Sequence, residues 1–352
     1  MQALVYHGNK DIRLQDFPEP KPKPGEVKLR ITHTGICATD IEEWQYGPLW
    51  VQTGKPNPLT GRITPLVLGH ETTGHIVALG QGATGVRVGQ RVAVQDVLTC
   101  GKCYWCQRGM QAVCPEMGVA GLSGDGGLAE FMTWPASQVV PLPDSVSDEE
   151  GALVEPATVA VHAVRRSGVK AGDNVAVIGC GTVGCLTVQA FRAAGARVIA
   201  VDVREQSLGL ARKLGADDTV NASGPDAGER LMALTDGIGP DITVETAGAA
   251  ETPKMAVKWV RRGGTAVLVG IYSAKPSFDF NDIVGQEKSV IGSVASSPND
   301  MAIAARLIGD GKVKVKDLIS AKVPLSRAIE DGFNRMLLPR KDFFKILITL
   351  GK

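Results

Sequence analysis

The sequence predicts an α/β chain in two parts, a β-rich N-terminal portion followed by a doubly wound, parallel-sheet portion. Three observations carry that expectation. Roughly the first 150 residues hold short β-branched runs separated by glycine turns, among them "EVKLRITHTGI", "GHIVALG" and "QRVAVQDVL". From about residue 172 strands and helices alternate, and the strands are almost continuously apolar. The first of those strands runs straight into the turn Gly179-x-Gly181-x-x-Gly184.

Length and composition agree. A chain of 352 residues is long for one hydrophobic core and suggests two domains. With 44% hydrophobic and 21% charged residues it is an ordinary globular sequence, not a disordered one. A net charge of +1 gives no electrostatic reason to expect nucleic acid or an acidic membrane surface as partner. No apolar run approaches the roughly 20 residues that span a bilayer. The start, "MQALVYHGNKDIRL", lacks the basic head, apolar stretch and small-residue cleavage site of a signal peptide. The expected compartment is the cytoplasm, where disulfides are disfavoured and clustered cysteines point to metal.

Along the N-terminal part, "PEPKPKPGE" reads as a stiff surface connector. The segment "YGPLWVQTGKPNPLTGRITP", residues 46–65, has too many Gly and Pro for regular structure and reads as a long loop of the functional kind. Its aromatics, with Trp44, Tyr46 and Trp50, form a pocket wall on one reading and pack the loop or a subunit contact on the other.

In the second part, "DNVAVIGCGTVGCLTVQAFRAAGARVIAVDV" gives a strand, a glycine turn, a helix from about Val183 to Ala194, and a second strand ending at Asp202. "DDTVNA", "DITVETAG", "GGTAVLVGIY" and "KSVIGSVAS" continue the strands, with helices in "SLGLARKLGA" and "MAVKWVRRG". The final "DFFKILITL" is another strand, expected to return to the first part. Gly179 makes the tight turn, Gly181 lets the backbone approach a pyrophosphate, and Gly184 lets helix and sheet pack closely. The helix start at Thr182 and Val183 offers free N–H groups and a positive dipole end to that anion. Asp202, eighteen residues past Gly184, would accept from the adenosine ribose hydroxyls and repel a 2′-phosphate, favouring NAD over NADP. Arg204 either faces solvent at a helix start or pairs with such a phosphate.

Four of the seven cysteines fall in "CGKCYWCQRGMQAVC", with spacing C-x2-C-x2-C-x7-C. A ferredoxin-like cluster motif places its fourth cysteine after about three residues, so the spacing argues against iron–sulfur. Four thiolates leave no open position, which suits a structural zinc holding an irregular lobe. Three other segments carry metal-ligand chemistry: "GICATD" with Cys37, "LGHETTG" with His70 and Glu71, and "ALVEPATVAVHA" with Glu155. Each has a bland explanation taken singly: a core cysteine, a hydrogen-bonded histidine, a glutamate before a helix.

Together with the glycine turn, these segments resemble the zinc-dependent medium-chain alcohol and polyol dehydrogenases. "GHETTGHIVALG" is similar to that family's zinc signature. "HGNKDIRLQDFPEPKPKPGE", "NPLTGR" and "EEGALVEPATVAVHAVRRS" look most like 2,3-butanediol dehydrogenases, with sorbitol dehydrogenases next. The resemblance implies a GroES-like catalytic domain over residues 1–154, joined by 296–352, and a Rossmann NAD-binding domain over 155–295. It implies two zinc ions per chain. Cys37, His70 and Glu155 would hold the catalytic one, Glu155 either directly or through water, with Glu71 as an alternate ligand. Cys100, Cys103, Cys106 and Cys114 would hold the structural one. Asp40 would accept the histidine's other N–H, and Thr39 would pass on the alcohol proton. Where relatives usually carry a histidine two residues after Asp40, this chain has Glu42, which either ends the proton relay or is a plain surface residue.

The implied activity is NAD-linked oxidation of a small secondary alcohol or vicinal diol to its ketone, 2,3-butanediol and acetoin foremost. A sorbitol- or xylitol-type polyol dehydrogenase and an L-threonine dehydrogenase are the alternatives within the family, and a homodimer or homotetramer is implied. Outside it stand a zinc hydrolase, for which the glycine turn and Asp202 have no use, and a binding protein that has lost activity, against which every ligand position is filled.

Overall fold

The computed structural model describes residues 1–272, 275–338 and 343–351. It divides into two compact units, one of Met1–Glu155, Ser296–Asp310 and Val315–Lys352, the other of Pro156–Ala295 and Gly311–Lys314.

In the first unit the strand Glu26–Gly35 is central. It pairs antiparallel with Glu71–Leu79, Phe131–Pro135 and Lys345–Thr349. The sheet continues outward through Arg91–Val94 and Val139–Pro141 on one side and Ile319–Pro324 on the other. Val27, Leu29 and Ile31 alternate inward and are fully buried. Each such burial contributes about 1.5–3 kcal/mol. A register shift between Ile31 and His33 then changes the alternation, so that Thr34, Gly35 and Ile36 all lie in the interior. The C-terminal strand Lys345–Thr349 joins this sheet beside Gly35, as expected of "DFFKILITL"; Asp342 of that stretch lies outside the described residues.

Of the segment 46–65 expected to be irregular, Tyr46 ends the helix Ala38–Tyr46 and residues 47–65 carry no helix or strand. It is nevertheless pinned. The buried Glu43 carboxylate accepts from the backbone N–H groups of Leu49 at 3.1 Å and Trp50 at 2.7 Å. Asn57 Oδ1 accepts from the Leu59 and Thr60 N–H groups, and Arg62 pairs with Asp125 at 2.9 Å. Trp44 is buried and packs edge-on against Phe333 in the core.

The second unit is a six-stranded, all-parallel sheet. Its order is Asp218–Asn221, Arg197–Asp202, Asn174–Ile178, Ile242–Glu245, Thr265–Leu268, Ser289–Gly292. The chain winds outward from Asn174–Ile178 in one direction and then from Ile242–Glu245 in the other. The crevice between those two strands is where open α/β sheets bind ligands. The helix after the glycine turn spans Thr182–Ala193, one residue earlier at each end than its apolar pattern indicates, with Gly181 as its cap.

Candidate active site

In the first unit, Cys37 comes from a helix start, and His70 and Glu71 from the start of one strand. Cys37 caps the helix Ala38–Tyr46, and its N–H donates to Asp40 Oδ2 at 2.9 Å. That bond fixes Asp40 in the helix's first turn, where its other oxygen faces His70. His70 immediately precedes the strand Glu71–Leu79. Gly69 takes φ +97° there, and a Cβ would strike Leu128 and Thr34 at 2.7 Å. Glu71 lies opposite Gly35, and a side chain at Gly35 would come within 1.9 Å of the Glu71 carboxylate. Glycine at 35 is therefore what admits a buried acid beneath the strand.

The ligand atoms of Cys37, His70 and Glu71 all lie within 4.8 Å of one another. His70 Nδ1 faces Asp40 Oδ1 at 3.5 Å, and neither buried atom has another partner among the described residues. That orphaned pair suits an imidazole turned by a carboxylate, with Nε2 left for a metal. Burial opposes charge on His70, but the Asp40 carboxylate and Cys37 outweigh it and raise the imidazole well above its usual value. The Thr39 hydroxyl lies 3.7 Å from Cys37 Sγ. Glu42 is half-buried on the same helix. Glu155 sits in the first turn of the helix Val154–Ser167 and is not part of the tight cluster. Burial, then the neighbouring Asp96, raises its carboxyl well above the ordinary range.

Two members of this surrounding escaped the sequence reading. Lys345 places its Nζ 2.5 and 2.6 Å from the two Glu71 oxygens and 3.1 Å from the Ile36 carbonyl, all buried. Burial works against its charge, yet Glu71 and Cys37 keep the ammonium above its usual value. A lysine heading the otherwise apolar run "KILITL" was the available signal. Asp96 is the other: burial pushes its carboxyl up to about 6, with His70 working against that shift. A lone acid inside "VAVQDVL" was its only trace.

The four lobe thiols also lie within 4.8 Å of one another. Cys100 and Cys114 Sγ are 3.6 Å apart, far beyond the roughly 2.05 Å of a disulfide. That spacing is close to the edge of a zinc tetrahedron with bonds of about 2.3 Å, which is about 3.8 Å. All seven cysteines are free. Backbone N–H groups of Cys100 and Cys106 point at the sulfurs of Cys114 and Cys103, each at 3.5 Å, as suits thiolates. The Lys102 N–H holds the Cys100 thiol down at about 7, while burial pushes Cys106 up to about 12. The donor set fits a closed four-sulfur zinc site.

In the second unit, Gly179 takes φ +94°, and a Cβ there would meet Ala247 at 2.7 Å. One on Gly184 would lie 1.8 Å from the Gly179 carbonyl, whereas one on Gly181 would meet nothing within 4 Å. The first and last glycines are thus required by packing, and the middle one faces open space, as a pyrophosphate cradle requires. Thr182 and Val183 begin the helix beside that space, half-buried. Asp202 ends its strand and is nearly buried. Its Oδ2 accepts from the Cys180 N–H at 2.7 Å and its Oδ1 from the Arg204 N–H at 2.8 Å, so it also ties the glycine turn to the neighbouring strand. The Arg204 guanidinium Nε lies 3.5 Å from the same carboxylate.

The fold, the two ligand clusters and the glycine turn define a zinc-type dehydrogenase. The chain belongs to the zinc-binding alcohol dehydrogenase family: residues 182–310 match the zinc-binding dehydrogenase family and residues 23–144 the alcohol dehydrogenase GroES-like domain. It is an oxidoreductase of the zinc-dependent, NAD-linked alcohol dehydrogenase type. Among its relatives is the (R,R)-butanediol dehydrogenase of Bacillus subtilis (strain 168), 35% identical over 350 residues and 99% of both chains. The sorbitol dehydrogenase of Halalkalibacterium halodurans is 32% identical over 93% of each chain. The crystal structure of 2R,3R-butanediol dehydrogenase from Bacillus subtilis superposes with a TM-score of 0.91 at 33% identity, covering 99% of both chains.

Proposed function

We propose that this chain interconverts 2,3-butanediol and acetoin, or a closely similar small secondary alcohol or vicinal diol and its ketone, with NAD as hydride acceptor and two zinc ions per chain. The observation that carries the reading is the buried cluster of Cys37, His70 and Glu71, backed by Asp40 on the far nitrogen of the histidine. The substrate rests on the 35% identity to a butanediol dehydrogenase over essentially the whole chain.

In this reading residues 1–154 with 296–352 form the catalytic domain and 155–295 the NAD-binding domain. When bound, zinc supplies a Lewis acid for the substrate oxygen and NAD a hydride acceptor for its carbon. Cys37 and His70 hold the metal, with Glu155 completing the set and Glu71 kept behind it by Lys345. Asp40 holds the imidazole in the tautomer that leaves Nε2 unprotonated. Thr39 takes the hydroxyl proton of the alcohol, and Glu42 passes it outward. Cys100, Cys103, Cys106 and Cys114 hold the second zinc.

Gly179, Gly181, Gly184, Thr182 and Val183 cradle the pyrophosphate, and Asp202 accepts from the adenosine ribose. Asp202 at the strand end repels a 2′-phosphate, and Arg204 lies 3.5 Å from that carboxylate, which supports NAD over NADP.

A homodimer or homotetramer is part of the reading. The edge strand Ser289–Gly292 has a strand neighbour on one side only among the described residues, and Phe280, Val284 and Val290 are exposed. So is a cytoplasmic location; no helix among the described residues is long and apolar enough to cross a membrane. Purified protein is assayed at 340 nm against the 2,3-butanediol stereoisomers, acetoin, sorbitol, xylitol and threonine with NAD and NADP. The butanediol–acetoin pair with NAD is expected to give the highest kcat/KM. A preference for sorbitol, xylitol or threonine would replace the substrate, and a preference for NADP would refute the role given to Asp202.

A further inference from the structure

The second unit holds one buried acid that no part of the proposed reaction uses. Glu245 ends the strand Ile242–Glu245 and is fully buried. Its Oε1 accepts from the Ala247 and Gly248 N–H groups, both at 2.8 Å, and from the Thr252 hydroxyl at 2.7 Å. Its Oε2 accepts from the Tyr272 hydroxyl. Its backbone carbonyl takes the N–H groups of Val269 at 2.9 Å and Gly270 at 3.2 Å. A carboxylate desolvated to this degree costs several kcal/mol unless its lone pairs are filled. Here four donors from two loops fill them. Burial and the adjoining carboxylate push the Tyr272 hydroxyl above its usual range, so it remains a donor.

The two loops follow adjacent strands, Ile242–Glu245 and Thr265–Leu268, at their carboxyl ends. They touch backbone to backbone. A Cβ on Gly270 would lie 2.5 Å from Glu245 Oε2, and one on Gly248 would lie 2.5 Å from the Ile271 carbonyl. The first loop also reaches the glycine turn. The Thr246 hydroxyl donates to the Gly179 carbonyl at 2.6 Å, and Ala247 fills the space that a Gly179 side chain would need. A continuous stack therefore runs from Tyr272 through Glu245 and Ala247 to Gly179.

Asp202, which takes the adenosine ribose in the proposed function, lies on the opposite side of the glycine turn. The strand order puts Arg197–Asp202 on one flank of Asn174–Ile178 and Ile242–Glu245 on the other. We infer that Glu245 and Tyr272 are positioning residues for the half of the dinucleotide that carries the redox-active ring, setting the spacing of the two loops on which that half lies. The inference rests on the reading of this unit as a dinucleotide site.

The test uses the zinc-loaded full chain carrying Tyr272→Phe, with Glu245→Gln as the second variant. Each is titrated with NADH by fluorescence and with AMP by competition. The Kd for NADH is expected to rise about fivefold or more, the equivalent of one lost hydrogen bond, while AMP binds within about twofold of the parent. Equal weakening of NADH and AMP, or unchanged NADH, would overturn the inference. Should Glu245→Gln fail to fold, Tyr272→Phe decides alone, because it removes a single oxygen. A parent that binds neither ligand overturns the dinucleotide reading and this inference with it. A parent that binds both, with variants that match it, overturns only the role of Glu245 and Tyr272.

Discussion

The lobe of Cys100–Cys114 and the cluster around Cys37 use similar ligand chemistry in opposite settings. The lobe takes four thiols from fifteen consecutive residues, folded by short turns and glycines in place of a sheet. The cluster takes its groups from separated segments carried by paired strands, and surrounds them with acids: Asp40, Glu71, Asp96 and Glu155. Among the described residues, Lys345 is the cation it sets against them. Four thiolates close a coordination sphere, whereas one thiol, one imidazole and one carboxylate leave a position open. In the proposed reading the lobe's metal would give it its shape, while the cluster is shaped by the sheet beneath it and its metal would give it a reaction.

The largest effect that could break this comparison is a paired substitution. Cys37→Ser is expected to abolish turnover, by at least about 10³-fold, with circular dichroism and thermal midpoint near the parent's. Cys103→Ser is expected to lower stability or assembly and zinc content together, since folding free energy in such lobes is metal-binding free energy. A Cys103 variant that melts like the parent yet has lost catalysis would reverse the assignment. Next in size comes Lys345→Met, which strands Glu71 as a buried, unpaired carboxylate. Breaking a pair this enclosed costs about 3–5 kcal/mol, measurable by urea denaturation. Replacing both partners, as Glu71→Gln with Lys345→Met, is expected to recover most of that loss.

How much was legible follows the same divide. The lobe could be read from spacing alone, because its geometry is local. The strand–turn–helix around Gly179 was equally plain, since the three glycines, the strand before them and the helix after them are consecutive in sequence. The parallel sheet followed from unbroken apolar runs such as Val175–Ile178. Cys37, His70, Glu71 and Glu155 could be listed as candidates, but only a family resemblance grouped them, and it put Glu155 in the ligand set with Glu71 as the alternate, whereas the tight cluster holds Glu71. Lys345 showed only as a lysine heading an apolar run, and its partner could not be seen: it meets Glu71 across 274 residues, through a strand that returns from the far end of the chain. Asp96 and Glu245 share that difficulty. A buried acid in an apolar stretch looks like a surface residue at a strand end until its donors are known, and periodicity carries no information about donors.

The contrast also has a pH signature. A bound zinc displaces thiol protons, and the lobe has up to four to displace, with Cys106 held up near 12 by burial. Affinity therefore falls as pH falls, by about tenfold per unit for each proton displaced. The cluster has at most three such protons: on Cys37, on His70, whose imidazole Asp40 keeps protonated above its usual range, and on Glu155, whose carboxyl burial raises. Competition with a chelator at pH 6, 7 and 8 is expected to give the steeper slope at the lobe, read from the zinc content of Cys37→Ser protein. Equal slopes would mean that zinc displaces no more protons at the lobe than at the cluster, and a flat response at the lobe that its thiols are already deprotonated without metal.

The smallest expected effect concerns Glu42, two residues beyond Asp40 on the helix that Cys37 caps. The helix places it half-buried. If it carries the proton outward from Thr39, Glu42→Gln removes a relay step and not the group that meets the substrate. The loss in kcat then stays below the roughly 10²-fold floor of a direct general acid–base, and added buffer of matched pKa restores part of it. The acid limb of the kcat–pH profile is expected to move as well, because a carboxylate that titrates has been replaced by an amide that does not. Unchanged kcat and an unchanged profile would make Glu42 a surface residue, and the proton's route would then end at the Thr39 hydroxyl and the water beyond it.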